Sequence, residues 1–198
     1  KKFSKFCLTK YCSSVGNGTD ALYIALKSLD LKNKDEVILP AMTYKSTLLS
    51  VTGMGLKPVL VDVENNSSGI CVKDLERKIN NKTKAVICVS LYGNPVKFDE
   101  IKKVIKSKKK KIFLIEDAAQ AHGATYKRKP VGSFGDVSCF SFYPGKNLGA
   151  YGDAGAILTN SHKIHKKVEV IKNLGSLEKF NCFSQSVNSR LDTIQAII

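Results

Sequence analysis

Six short apolar or β-branched runs, at residues 37–39, 59–63, 85–91, 112–115, 137–142 and 156–158, are separated by stretches of helical periodicity. No other feature narrows the fold as much. Strands that lack an alternating polar face are covered on both sides, and strands joined by helices pair in parallel. The helical stretches carry apolar stripes. Residues 20–29 place Ala21, Leu22, Ala25, Leu26 and Leu29 on one face, and residues 98–106 do the same with Phe98, Ile101, Val104 and Ile105. Residues 47–54 and 72–80 follow the same pattern. A further helix is predicted over 161–174, with Ser161 as its cap and Gly175 as its stop. The predicted class is α/β, a three-layer αβα arrangement around a mostly parallel central sheet.

Such a sheet places ligands beyond the carboxyl ends of its strands, so the residues just after each run carry most of the functional information. The longest of these segments is SFYPGKNLGAYGDAG, residues 141–155. It reads as a glycine-rich loop between two buried strands, with Lys146 in its middle. On its own it is either a surface hairpin or a desolvated lysine whose neutral amine attacks a carbonyl to form a Schiff base. Ser141, just before the loop, is placed to bond a phosphate.

Three other segments are open in the same way. GNGTDAL, residues 16–22, is a glycine turn entering a helix. It is a plain tight turn, a loose GxGxxA dinucleotide turn, or a phosphate site built from the N–H groups of Gly18, Thr19 and Asp20 and the Thr19 hydroxyl. The dinucleotide reading lacks its ribose acid, because Asp35 and Glu36 precede the strand instead of ending it. Asp117, at the end of IFLIED, either caps the next helix or faces a cation such as a protonated ring nitrogen. Tyr44, after VILPAMT, is either core or a platform for a flat heteroaromatic ring. Phosphate donors, an aromatic face, an acid and a lysine are the parts that hold pyridoxal 5'-phosphate.

Composition removes several alternatives. The chain has 198 residues, enough for a full core, and no run approaches the roughly 20 apolar residues of a membrane span. With no signal-peptide pattern at its start, a soluble, cytoplasmic protein is expected. Cys7, Cys12, Cys71, Cys88, Cys139 and Cys182 show no CxxC spacing and read as reduced thiols. His122, His162 and His165 are too scattered for a metal motif, so no metal is expected. The 32 basic and 17 acidic residues give a net charge of +15, much of it in clusters such as KSKKKK at 106–111. That run reads as a solvated turn. No nucleic-acid motif or interleaved aromatic accompanies it, so nucleic acid is not the expected partner.

Taken in order, GNGTDALYIAL, DEVILPAMTYKST, KPVLVDV, KTKAVICVSLYGNP, the long segment IEDAAQAHGATYKRKPVGSFGDVSCFSFYPGKNLGAYGDAGAI and VNSRLDTIQA resemble the DegT/DnrJ/EryC1/StrS family of nucleotide-sugar aminotransferases. The resemblance covers nearly the whole chain. It implies the fold type I architecture of pyridoxal-phosphate enzymes, with residues 1–198 as the large cofactor-binding domain. By that resemblance Lys146 holds the cofactor as a Schiff base and carries a proton between Cα and C4′. Asp117 pairs with the pyridine nitrogen, Gln120 contacts the 3-hydroxyl side, and Tyr44 stacks on the ring. Gly18, Thr19 and Ser141 match phosphate ligands. Asn188 matches an asparagine that reaches the phosphate of a neighbouring subunit, which implies a homodimer with composite sites.

The implied reaction moves nitrogen from an amino donor, L-glutamate in relatives, to a keto sugar carried on a nucleoside diphosphate. Relatives with histidine at the lysine position dehydrate instead, and Lys146 implies the aminating branch. The loop wording at 143–155 resembles members that act at C3. Both ends look cut: residues 1–10 resemble the tail of a helix, and RLDTIQAII begins an amphipathic helix that stops on two isoleucines. A fragment lacking the family's small C-terminal domain is therefore expected. The alternatives are an NAD-dependent nucleotide-sugar oxidoreductase, which has no need of Lys146, and a basic nucleic-acid module.

Overall fold

The computed structural model of the protein describes residues 1–176 and 186–197. Cys182 lies outside the described residues. Nine strands and seven α-helices follow one another in the described chain. They begin with α1 (Lys2–Phe6), β1 (Tyr11–Val15), α2 (Gly18–Ser28), β2 (Glu36–Pro40), α3 (Lys45–Thr52) and β3 (Lys57–Val61). Next come α4 (Val72–Lys78), β4 (Thr83–Val89), α5 (Phe98–Ser107) and β5 (Phe113–Asp117). A small antiparallel hairpin, β6 (Thr125–Tyr126) and β7 (Lys129–Pro130), leads to β8 (Val137–Ser141), β9 (Gly155–Thr159), α6 (His162–Lys172) and α7 (Thr193–Ile197).

Seven strands form the main sheet in the order β1-β9-β8-β5-β4-β2-β3. The pairs β2·β3, β2·β4, β4·β5 and β5·β8 are parallel, while β9 is antiparallel to both β8 and β1. The sheet is thus mostly parallel, as expected. Because β9 reverses twice, β1 runs in the same direction as β8. The carboxyl ends of β1, β2, β4, β5 and β8 therefore all reach one edge.

Strand alternation sends successive side chains to opposite layers. Val37 and Leu39 of β2 pack with α2, α3 and α6 through Leu22, Ala25, Val51 and Val168, whereas Ile38 packs with Leu75 of α4 and Phe98 and Ile101 of α5. These two buried clusters are the two interfaces of a three-layer fold, and they explain why the strand runs other than the edge strand β3 are apolar throughout.

Local chemistry sets the helix ends. Asn17 caps α2 by accepting from the Asp20 N–H at 2.8 Å, and Ser161 caps α6 by accepting from the Ile164 N–H at 3.3 Å. The helix predicted over 161–174 ends earlier, at Lys172 with Asn173 as its C-cap, and the left-handed Leu174 and Gly175 follow it. The predicted helix over 47–54 instead spans Lys45–Thr52, and the one over 72–80 ends at Lys78. Strand β1 was not predicted: its YCSSV sequence carries two serines and gives no apolar run. The helix at the chain's start covers only Lys2–Phe6, and α7 forms within RLDTIQAII with Ile194 and Ile197 exposed. Among the described residues no helix is long and apolar enough to cross a membrane.

Candidate active site

Five strand ends on one edge place their following loops around a single cavity of about 530 Å³. Its lining includes Gly18 and Thr19 after β1, Tyr44 and Ser46 after β2, Ser90 after β4, Asp117 and Gln120 at the end of β5, and Ser141, Tyr143 and Lys146 after β8. Seven residues singled out from the sequence, Gly18, Thr19, Tyr44, Asp117, Gln120, Ser141 and Lys146, meet there. Asn188 does not. It is exposed and pairs with Asn173 beyond α6, outside this cavity.

Two close approaches bring the start of α2 against β8 and β9. A Cβ on Gly18 would lie 2.6 Å from Ser141 Cβ, and one on Gly155 would lie 2.5 Å from the Asn17 backbone oxygen. Only glycine lets the start of α2 sit directly on the β8–β9 pair. The first turn of α2 then presents its N–H groups and the positive end of its dipole beside the Ser141 hydroxyl. One expectation is corrected here: the Asp20 N–H is not free, because Asn17 occupies it. Thr19 Oγ1 and Ser46 Oγ lie 2.8 Å apart and share a hydrogen bond, so the hydroxyl donors of two loops sit together.

Asp117 is the last residue of β5 and is buried. Thr47 Oγ1, itself fully buried on α3, donates to Asp117 Oδ2 at 2.8 Å, and the Ala119 N–H donates to Oδ1 at 3.3 Å. Burial raises the carboxyl's pKa, while the Thr47 and Ala119 bonds and the Lys146 charge oppose the rise. The Asp117 carboxylate is thus short of positive charge. A cation at the cavity wall would complete it.

Lys146 is half-buried, and its loop is pinned by its own backbone. The Lys146 N–H donates to the Tyr143 carbonyl at 2.8 Å, and the Phe142 N–H donates to the Ala154 carbonyl at the same distance. Tyr44 is 62% exposed at the cavity rim, which leaves its ring face open to a ligand instead of to the core. Gln120 accepts from the Tyr92 N–H through Oε1 at 2.8 Å. Asp153, in the loop ahead of β9, also lines the cavity and forms no hydrogen bond or ion pair with a described residue.

Several of these contacts were not evident from sequence. Thr47, the partner of Asp117, looked like one more helical residue. Tyr92 had no signal at all. Glu116, adjacent to Asp117, points to the other layer, where it accepts from the N–H groups of Gly132, Phe134 and Gly135 and from the Ser138 hydroxyl at 2.5–2.8 Å. Its carboxylate is fully occupied and takes no part in the cavity. His122 also faces away, against Phe140 and Phe142, and burial lowers its pKa to about 4.

The sequence matches the DegT/DnrJ/EryC1/StrS aminotransferase family over residues 1–198. The chain belongs to that family. Among the family's members, a dTDP-3-amino-3,6-dideoxy-alpha-D-galactopyranose transaminase of Aneurinibacillus thermoaerophilus is 45% identical over 198 residues, which is 100% of this chain and 54% of that protein. The solved structure of S. venezuelae DesV in complex with a ketimine intermediate superimposes with a TM-score of 0.94 at 37% identity, over 98% of this chain and 52% of that one. The NtdA structure from Bacillus subtilis with bound cofactor PMP gives 0.92 at 32% identity, over 98% and 44%. This family chain spans about half the length of the curated relative it matches. The expected architecture is borne out by these likenesses.

Proposed function

We propose that the chain is the large, cofactor-binding domain of a pyridoxal-phosphate-dependent aminotransferase that aminates a keto sugar linked to a nucleoside diphosphate. Family membership supports the reaction class. The observation that carries the reading is the convergence of Lys146, Asp117, Tyr44, Gln120 and the start of α2 on one cavity.

The residues fit the cofactor. Asp117 is a buried carboxylate held from behind by Thr47 and Ala119, and it forms no ion pair with a described residue. Gly18 and Gly155 let the start of α2 pack directly against β8 and β9, which brings its first-turn N–H groups beside Ser141. When bound, pyridoxal phosphate supplies an aldehyde carbon for amines and a ring that accepts electrons.

The chain's own residues do the rest. Lys146 would hold the cofactor through its side-chain amine, and that amine would carry the proton between the substrate Cα and C4′ of the cofactor. Positioned proton transfer of this kind contributes about 10² to 10⁴ in rate. Asp117 keeps the ring nitrogen protonated. Tyr44 covers the ring face, Gln120 meets the 3-oxygen, and Gly18, Thr19 and Ser141 hold the phosphate. Asn188, exposed and outside this cavity, reaches the phosphate of a neighbouring copy in a cytoplasmic homodimer.

L-Glutamate is the proposed donor. The wording of the loop at 143–155 and the 3-amino sugar in the name of the 45%-identical relative favour amination at C3. The test is to treat the full-length protein with borohydride and map the reduced adduct, then supply glutamate and a panel of keto nucleotide sugars and locate the new amine by NMR. A colourless protein with no adduct at Lys146, or one that oxidises nucleotide sugars with NAD, overturns the reading.

A further inference from the structure

We infer that the left-handed turn at Tyr92 and Gly93 is a positioning element that fixes which end of the Gln120 amide faces the cavity. The inference rests on the functional reading above only for the identity of the ligand. Its physical basis lies in the chain alone.

A backbone N–H can only donate. Its partner on Gln120, 2.8 Å away, is therefore the side-chain oxygen, and the amide cannot be flipped without losing that bond. With Oε1 engaged by Tyr92, the NH₂ group of Gln120 is the end left for the cavity it lines. Gln120 is thus a one-way donor. A free glutamine would offer either end.

The turn is shaped for this contact. Tyr92 has φ +55° and ψ +24°, and Gly93 follows at φ +78°. Tyrosine is rarely found in the left-handed region, and Tyr92 is held there directly after Leu91, which lines the cavity. The turn is anchored at its start by the Ser90 N–H, which donates to the Asp117 carbonyl at 3.1 Å, and is closed by the Gly93 N–H on the Ser90 carbonyl at 3.3 Å. Asp117 and Gln120 therefore support the same three-residue turn, one through its backbone and the other through its side chain. Tyr92 itself is 75% exposed, so packing of its ring does not account for the geometry.

A fixed donor favours an oxygen that carries negative charge over the same oxygen protonated. Set against the 3-oxygen of the cofactor, it holds that oxygen deprotonated and lowers the pH at which the bound chromophore gives up its shared proton. Tyr92 and Gly93 act through Gln120, and neither lines the cavity.

The experiment uses full-length protein labelled with ¹⁵N-tyrosine. Before the cofactor is added, Gln120→Leu is expected to speed exchange of the Tyr92 amide about tenfold. Unchanged exchange overturns the inference, whatever the cofactor. In the loaded protein, Gln120→Leu and Gly93→Val are each expected to raise the spectral titration midpoint of the chromophore, by about one pH unit. The double variant should go no further than Gln120→Leu alone. Tyr92→Asn, which keeps the N–H and tolerates the left-handed region, keeps the original midpoint. A folded Gly93→Val protein with the original midpoint, or a double variant showing the sum of both shifts, overturns the inference. Failure to bind pyridoxal phosphate at all overturns the functional reading instead, and the exchange measurement still decides the role of the turn.

Discussion

The hydroxyl of Thr47 on α3 donates to the carboxylate of Asp117 at the end of β5, so the acid in the cavity is held by the neighbouring helix. Thr43 supports the pair, its hydroxyl lying 2.7 Å from that of Thr47. Removing the Thr47 hydroxyl takes a donor from a buried carboxylate and favours its protonated form. Thr47→Val is expected to move the acid limb of the kcat/KM profile to higher pH and to lower activity roughly tenfold near pH 6. Thr47→Ser restores both. An unchanged acid limb in the valine variant would remove Thr47 from the site.

Lys146→Ala is expected to abolish turnover and the borohydride-trapped adduct together, with the denaturation midpoint essentially in place. The side chain is half-buried and makes no hydrogen bond or ion pair with a described residue through its amine, so its loss costs little packing. Sustained multiple turnover in that variant without added amine would count against the assignment.

Gly18→Ala forces a methyl to within 2.6 Å of Ser141 Cβ, an atom that no side-chain rotation can move aside. Overpacking of this kind costs about 1–3 kcal/mol. Pyridoxal-phosphate affinity, followed by fluorescence quenching, should fall with stability. Gly145→Ala is the control, because a Cβ there meets only ordinary contacts at 3.8 Å.

His122 titrates well below its ordinary value, at about 4 instead of 6.5, because burial disfavours its charged form; the Lys146 charge adds to the effect and the Ser141 backbone opposes it. Between these values the unfolded chain binds the proton and the folded chain does not. Its contribution to stability is present above pH 6.5 and is lost as pH falls toward 4. Discounted for partial solvent access, the loss is roughly 2 kcal/mol. His122→Phe should flatten that part of the profile, measured as urea midpoints at neutral and acid pH. An equally steep decline in the phenylalanine variant would assign the acid sensitivity to other groups.

The legible part of this molecule was the part written in local pattern. Apolar runs located six of the strands, five of them because burial on both faces leaves no alternation to confuse with a helix; β3, at the sheet edge, is apolar although Leu60 is exposed. Residues following those runs marked most of the cavity, because parallel strands deliver their carboxyl ends to one edge. Most of what stayed hidden depends on contacts between distant residues. Strand β1 earns its place by pairing with β9, not by its own YCSSV composition. Asn17 takes the Asp20 N–H through a cap that the glycine turn obscured. Thr47, 70 residues from Asp117, carries no sign in sequence that it reaches a carboxylate. Tyr92 becomes informative only when its backbone angles and the amide of Gln120 are seen together.

Two adjacent carboxylates on β5 face opposite layers, Glu116 into a ring of four donors and Asp117 into the cavity. A slip of one residue along that strand would put Ile115 or Asp117 in the place of Glu116, and Glu116 or Ala118 in the place of Asp117, so the four donors would lose the acceptor that fits them. The chain thus carries an internal proofreading device. Misaligned β5 is penalised electrostatically before any ligand arrives, and the same penalty delivers the acid to its working position each time the protein folds.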